Sequence, residues 1–120
     1  MKKILIVDDE PSIVMSLEYL LRRKKFDVLI ARNGSEALET LGKESPDLIL
    51  LDIMMPDVDG YEICEFVKTS PDLNHIKVIF LSAKSKTSDI EKGLSLGADA
   101  YVIKPFSTRD LMKKINELLN

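Results

Sequence analysis

Along the chain, short unbroken apolar runs alternate with stretches in which apolar residues return every three or four positions. The runs cover residues 4–7, 28–31, 48–51, 78–81 and 101–103. Runs of this length predict strands buried on both faces, as in a parallel sheet. Between them, Ile13, Leu17, Leu20 and Leu21 fall on one face of a predicted helix. Ala37, Leu38 and Leu41 mark a second helix, and Ile63, Phe66 and Val67 a third. Leu111, Met112, Ile115, Leu118 and Leu119 mark the last. The fourth helix has only a thin stripe, Ile90 and Leu94.

Helix start and stop signals agree with this division. Pro11 suits a first helical turn, where its missing N–H does no harm. Ser88 with Glu91, and Ser107 with Asp110, predict caps that open the fourth and fifth helices. Asp59 is placed to cap the third, and Gly97 to end the fourth. Five strand–helix units in strict alternation predict an α/β doubly wound parallel sheet with helices on both faces, three layers in all.

Length and charge narrow the picture. The 120 residues read as one domain, 1–120, long enough to bury roughly two-thirds of the unfolded surface. Apolar residues make up 45% and charged residues 31%, a balance that fits neither a disordered nor a membrane-spanning chain. A net charge of −3 argues against a whole-domain nucleic-acid footprint. The single cysteine, Cys64, cannot form an internal disulfide and reads as a buried helix thiol. The apolar start is interrupted at Asp8, too early for a secretory leader, so the expected location is the cytoplasm, with no membrane partner. The sequon at Asn33 is then accidental.

In a doubly wound sheet, ligands bind beyond the carboxyl ends of the strands, where the strand order reverses. The first strand is followed by Asp8, Asp9 and Glu10, the third by Asp52, the fourth by Ser82 and the fifth by Lys104-Pro105. The second ends blandly at Arg32-Asn33-Gly34, as befits an edge strand. Any one of these residues alone is a cap or a surface side chain; four strand ends together are a cluster. Two carboxylates about 4 Å apart repel by roughly 4 kcal/mol at an effective dielectric near 20. Such a cluster calls for a cation, and oxygen ligands without His or Cys select Mg²⁺, with Mn²⁺ as an alternative. With the Lys104 ammonium and the Ser82 hydroxyl beside it, the set predicts phosphoryl transfer to or from an Asp. Without metal, the cluster is expected to lower stability, so that removing Asp9 raises it.

The motifs VDDE, LLDIMMPDVDG, FLSAK and GADAYVIKPF, in this order, resemble the receiver domain of two-component response regulators across all 120 residues. The resemblance implies a flavodoxin-like sheet of order 2-1-3-4-5 with five helices. It makes Asp52 the phospho-accepting nucleophile. Asp9, Asp52 and the Met54 carbonyl become Mg²⁺ ligands, with Asp8 acting through a metal-bound water. Lys104 becomes the phosphoryl-binding lysine, Ser82 with Ala83 the switch hydroxyl segment, and Tyr101 the switch aromatic. The Lys104-Pro105 bond is expected cis. A signalling switch is implied rather than an enzyme with a separate substrate. Its donor is a sensor histidine kinase, a phosphotransfer protein or a small phosphodonor. Its output, through the face of the fourth helix, fifth strand and fifth helix, goes to an effector protein or a fused domain. Tyr101 is expected to turn inward once Ser82 has moved. The resemblance is compatible with a stand-alone regulator or part of a longer chain, and with a monomer or a phosphorylation-dependent dimer. Relatives that dimerise through that face read GADDY where this chain reads GADAY, so Ala100 counts against that dimer.

Other features have plainer readings. An EF-hand loop through Asp57 and Asp59 fails, because its first ligand would be Met55. Arg22, Arg23, Lys24 and Lys25 suit the C-terminal end of a helix dipole. His75 has no candidate partner. An aspartyl phosphohydrolase would carry its nucleophile in a D-x-D pair after the first strand, and Asp52 follows the third with Ile53-Met54 behind it. A flavin-binding module would want a phosphate-cradling loop where DDEP stands.

Overall fold

A computed structural model describes residues 1–120. The chain runs β1 Lys3–Val7, α1 Pro11–Arg23, β2 Asp27–Ala31, α2 Gly34–Leu41, β3 Leu48–Leu51, α3 Gly60–Thr69, β4 Lys77–Ser82, α4 Thr87–Ser95, β5 Ala100–Ile103 and α5 Thr108–Leu119. The five strands are parallel in the order β2-β1-β3-β4-β5. Four strands begin one residue before their apolar run, at Lys3, Asp27, Lys77 and Ala100, because ladder pairing needs only backbone groups.

Successive residues of each strand face opposite layers. Leu5, Val7, Ile49, Leu51, Val78 and Phe80 pack toward α2 and α3. Ile4, Ile6, Leu48, Leu50, Ile79 and Leu81 pack toward α1 and α5. Burial on both faces is what makes these strands read as unbroken apolar runs.

The helices refine the sequence pattern. Val14 joins Leu17 and Leu21 as the buried side of α1. On α3 the buried side is Tyr61, Ile63, Cys64 and Val67, and Phe66 is exposed. Phe66 lies three residues from Ile63 but rotates past the edge of the buried stripe. The α4 stripe is thin for a structural reason: its one buried residue is Gly93. A Cβ there would lie 3.0 Å from Phe80 Cδ2 and 3.2 Å from Tyr101 Cδ2, so α4 approaches the sheet through a missing side chain.

Caps follow the same logic. Asp59 accepts from the Glu62 N–H at 3.0 Å, and Ser107 from the Asp110 N–H at 3.2 Å. The expected Ser88–Glu91 cap is not used. Helix α4 opens earlier, with Lys86 at the N-cap position, and Asp89 accepts from its N–H at 3.3 Å. Asn33 caps α2 through the Glu36 N–H at 2.9 Å. His75 is exposed but not alone; its Nε2 lies 3.3 Å from Ser45 Oγ. Gly97 follows α4 with φ at +102°, a left-handed conformation that favours glycine.

Asp57 ties the loop after β3 to the start of α2. Its carboxylate accepts from Gly34 N at 3.0 Å, Ser35 N at 2.9 Å and Ser35 Oγ at 2.7 Å. The Ser35 hydroxyl and amide, with the Val58 and Gly34 amides, hold its carboxyl well below the ordinary carboxylate range. A lowered carboxylate stabilises the fold above its ordinary value of 3.8 and loses that contribution on acidification. Asp57→Ala should therefore lower the urea midpoint at pH 7, with the gap to the parent narrowing below pH 3.8. An equal gap at both pH values would remove the charge from the account.

Candidate phosphoryl-acceptor site

The register of the sheet builds the site. Val7 pairs with Leu51, so Asp8 and Asp52 emerge side by side one residue later, where the strand order reverses. Asp8 N donates to Ala31 O at 3.1 Å and Asp52 N to Val7 O at 2.9 Å, which fixes both backbones. Ser82 pairs with Ile103, and Lys104 N donates to Ser82 O at 2.9 Å. The next bond, Lys104-Pro105, is cis, as expected.

Asp8, Asp52 and Ser82 are all buried. Lys104 Nζ lies 2.9 Å from Asp8 Oδ2, 3.0 Å from Glu10 Oε1 and 3.9 Å from Asp52 Oδ2. Asp52 Oδ1 accepts from the Ile53 N–H at 2.9 Å. Burial, and then repulsion from Asp8, push the Asp52 carboxyl up to about 6, against the pull of Lys104 and the Ile53 and Met54 amides. Burial works against the charge on Lys104, but Asp8, Glu10 and Asp52 together raise its pKa.

The sequence-predicted residues do not all converge. Asp8, Asp52 and Lys104 meet, and Glu10 joins them; oxygens of Asp8, Glu10 and Asp52 lie within 4.8 Å of one another. These are hard donors around a buried carboxylate whose ionisation is unfavourable, and they fit a divalent cation such as Mg²⁺. Asp9 and Met54 stand beside this set and line a cleft of about 550 Å³ with Met55, Pro56, Lys84 and Lys92. Asp9 is exposed, so water screens its charge, and the expected gain from removing it shifts to Asp52.

Ser82 Oγ accepts from the Lys84 N–H at 3.2 Å, and Ala83 is exposed. Tyr101 already points inward. Its hydroxyl donates to Lys84 O at 2.7 Å and its ring lies 5.8 Å from that of Phe80. Tyr61, missed in the sequence, completes the row; its ring meets Phe80 edge-on at 5.6 Å and its hydroxyl donates to Asp89 O at 3.1 Å. The only signal for it was an aromatic beside the α3 cap.

Gly60 sets the distance between α3 and the Asp52 backbone. A Cβ at Gly60 would collide with the Asp52 carbonyl oxygen and lie 2.8 Å from Ile53 Cα. Gly60→Ala should lower stability by about 1–3 kcal/mol, the usual effect of overpacking, and displace Asp52. Urea unfolding and the backbone amide shifts of residues 52 and 53 would measure this; unchanged values would refute it.

The sequence model described as the response regulator receiver domain matches residues 4–116. The chain belongs to the response regulator receiver family. The alkaline phosphatase synthesis transcriptional regulatory protein PhoP of Bacillus subtilis is 44% identical to this receiver domain over 118 residues, 98% of this chain and 48% of its own. The chain spans about half the length of the curated relatives it matches. Among solved structures, the signal receiver domain of a DNA-binding response regulator from Colwellia psychrerythraea superposes with a TM-score of 0.93 at 29% identity, covering 99% of this chain and 98% of that one. The BeF3-activated DrrB receiver domain superposes at 0.90 with 33% identity, covering 99% and 97%. No helix of this receiver domain is long and apolar enough to cross a membrane.

Proposed function

We propose that this receiver domain is a signalling switch that accepts a phosphoryl group on Asp52. The observation that carries the reading is the placement of buried Asp52 beside Asp8 and the Lys104 ammonium at the reversal of strand order. Asp52 attacks phosphorus in line; the new O–P bond forms as the donor's bond breaks, and the leaving group takes the electron pair. The product is an acyl phosphate, later hydrolysed by water. Lys104 neutralises charge on the phosphoryl oxygens, and the Ser82 hydroxyl donates to one of them. Asp8, Asp9, Asp52 and the Met54 carbonyl would hold Mg²⁺, which supplies further neutralisation of that charge. Beyond its own phosphorylation and dephosphorylation the domain catalyses nothing.

The donor is a histidine kinase, a phosphotransfer protein or a small phosphodonor. Phosphorylation adds nearly two negative charges and strong acceptors beside Ser82 and Lys104. Both belong to the chain segments that lead into α4 and α5, so the α4–β5–α5 face carries the signal to an effector protein or fused domain. Transcriptional regulation by the PhoP relative supports a transcriptional output, with the acidic receiver itself not touching DNA.

With a small acyl phosphate and Mg²⁺, one hydroxylamine-sensitive phosphoryl group should map to Asp52 by mass spectrometry. Label at another residue, or none with the metal present, overturns the reading.

A further inference from the structure

Three carboxylates face Lys104, and they are unequal. The Asp8 and Asp52 side chains are 2% and 6% exposed, and that of Glu10 is 55% exposed. Asp8 and Asp52 are fixed at strand ends. Glu10 occupies the N-cap position of α1, yet its side chain makes no cap bond. It reaches Lys104 Nζ instead, at 3.0 Å. The Glu10 N–H donates to Asp8 Oδ1 at 3.0 Å, which sets Glu10 on the rim above the inner pair.

The Lys104 ammonium therefore stands between the oxygens that a divalent cation would share. Two cations at one place repel, so the metal and the inward ammonium exclude each other. Lys104 cannot leave with its backbone, because its N–H is bonded to Ser82 O. Only its flexible stem can swing, and the acid that already meets it at the rim is Glu10.

We propose that Glu10 is a positioning residue for Lys104: it holds the ammonium at the rim when a divalent cation takes the inner oxygens of Asp8 and Asp52. Both positive charges can then be in place before a phosphoryl group arrives. The proposal rests on the reading above that the site holds Mg²⁺ and accepts phosphoryl. A metal that binds only when the ammonium is outward has an apparent affinity reduced by the outward fraction. Without Glu10 the ammonium settles on Asp8 and Asp52, and that fraction falls.

The test is a Mg²⁺ titration, followed by calorimetry, of four full-length proteins: the parent, Glu10→Gln, Lys104→Met and the double variant. Urea unfolding of each verifies the fold. Lys104→Met should tighten Mg²⁺ binding by removing the competitor. Glu10→Gln should weaken binding at least threefold more in the parent than in the Lys104→Met background. Direct attraction between the Glu10 charge and the metal enters both comparisons and cancels in the cycle. Equal weakening in both backgrounds makes Glu10 a ligand and overturns the proposal; no weakening in the parent overturns it as well. If the parent binds no Mg²⁺, the phosphoryl-site reading fails first and this one with it. If the parent binds Mg²⁺ and the cycle shows no coupling, only the role of Glu10 falls.

Discussion

Asp52→Asn is expected to abolish Mg²⁺-dependent phosphoryl uptake and, in EDTA at neutral pH, to make the protein more stable. The first effect is all-or-none, because an amide oxygen is a far weaker nucleophile than a carboxylate and Asp8 is already paired to Lys104 at 2.9 Å. The second follows from burial. Asp52 is 5% exposed beside Asp8, and its carboxyl is raised from 3.8 to about 6. That rise corresponds to about 3 kcal/mol of disfavoured ionisation, of which about 1–2 kcal/mol should survive solvent screening. A raised carboxylate binds its proton more tightly in the folded state, so stability falls as pH rises from about 4 to about 6. Asp52→Asn lacks that fall. Urea midpoints in EDTA across this range should coincide for the two proteins near pH 4 and separate above it, with the variant higher. A lower midpoint for the variant at pH 7 would mean that the charge is better compensated than its surroundings suggest.

Lys104→Ala acts in the opposite direction. It leaves Asp8, 2% exposed, without its ammonium and next to Asp52. Removing one partner of a buried pair is strongly destabilising, and with the Glu10 side open to water about 3 kcal/mol is expected in EDTA. Saturating Mg²⁺ should restore more stability to this variant than to the parent, since the metal then supplies the only cation. Phosphoryl uptake should persist, and the change in partner binding on phosphorylation should weaken, because Lys104 leads from β5 toward α5. Thermal unfolding with and without Mg²⁺, together with binding of the phosphorylated variant to its partner, measures both. A variant as stable as the parent in EDTA would show that Asp8 does not depend on the ammonium.

Much of the fold was legible because the three central strands, β1, β3 and β4, are buried on both faces. Such strands must be apolar throughout, and their ends are marked by the first charge. Asp8 and Asp52 could be placed together on that ground alone, though 44 positions apart in the numbering. The fourth helix was harder to read because its contact with Phe80 and Tyr101 is made by Gly93, which leaves no apolar residue to read. The Ser88–Glu91 cap misled for a related reason. The spacing of a serine and an acid is satisfied at several offsets, and the backbone chose Lys86 and Asp89, where a carboxylate could meet a free N–H.

The alternation of apolar runs and helical stripes determined the three layers and put acids, hydroxyl and lysine on one rim. What the linear order could not determine is which charged groups touch, because that depends on side-chain reach across separate strands. Glu10 read only as the last of three acids after the first strand, and the packed sheet alone brings it within 3.0 Å of an ammonium 94 residues away. Asp9 read as the inner acid, and the turn after β1 exposes it beside Met54. Tyr101 read as a ring waiting to turn, and the missing side chain of Gly93 brings α4 close enough for an inward ring to pack on the sheet, with its hydroxyl on Lys84 O. Strand periodicity is a local property of the backbone and survives in one dimension. Charge pairing falls off with distance in space, and the fold alone decides that distance.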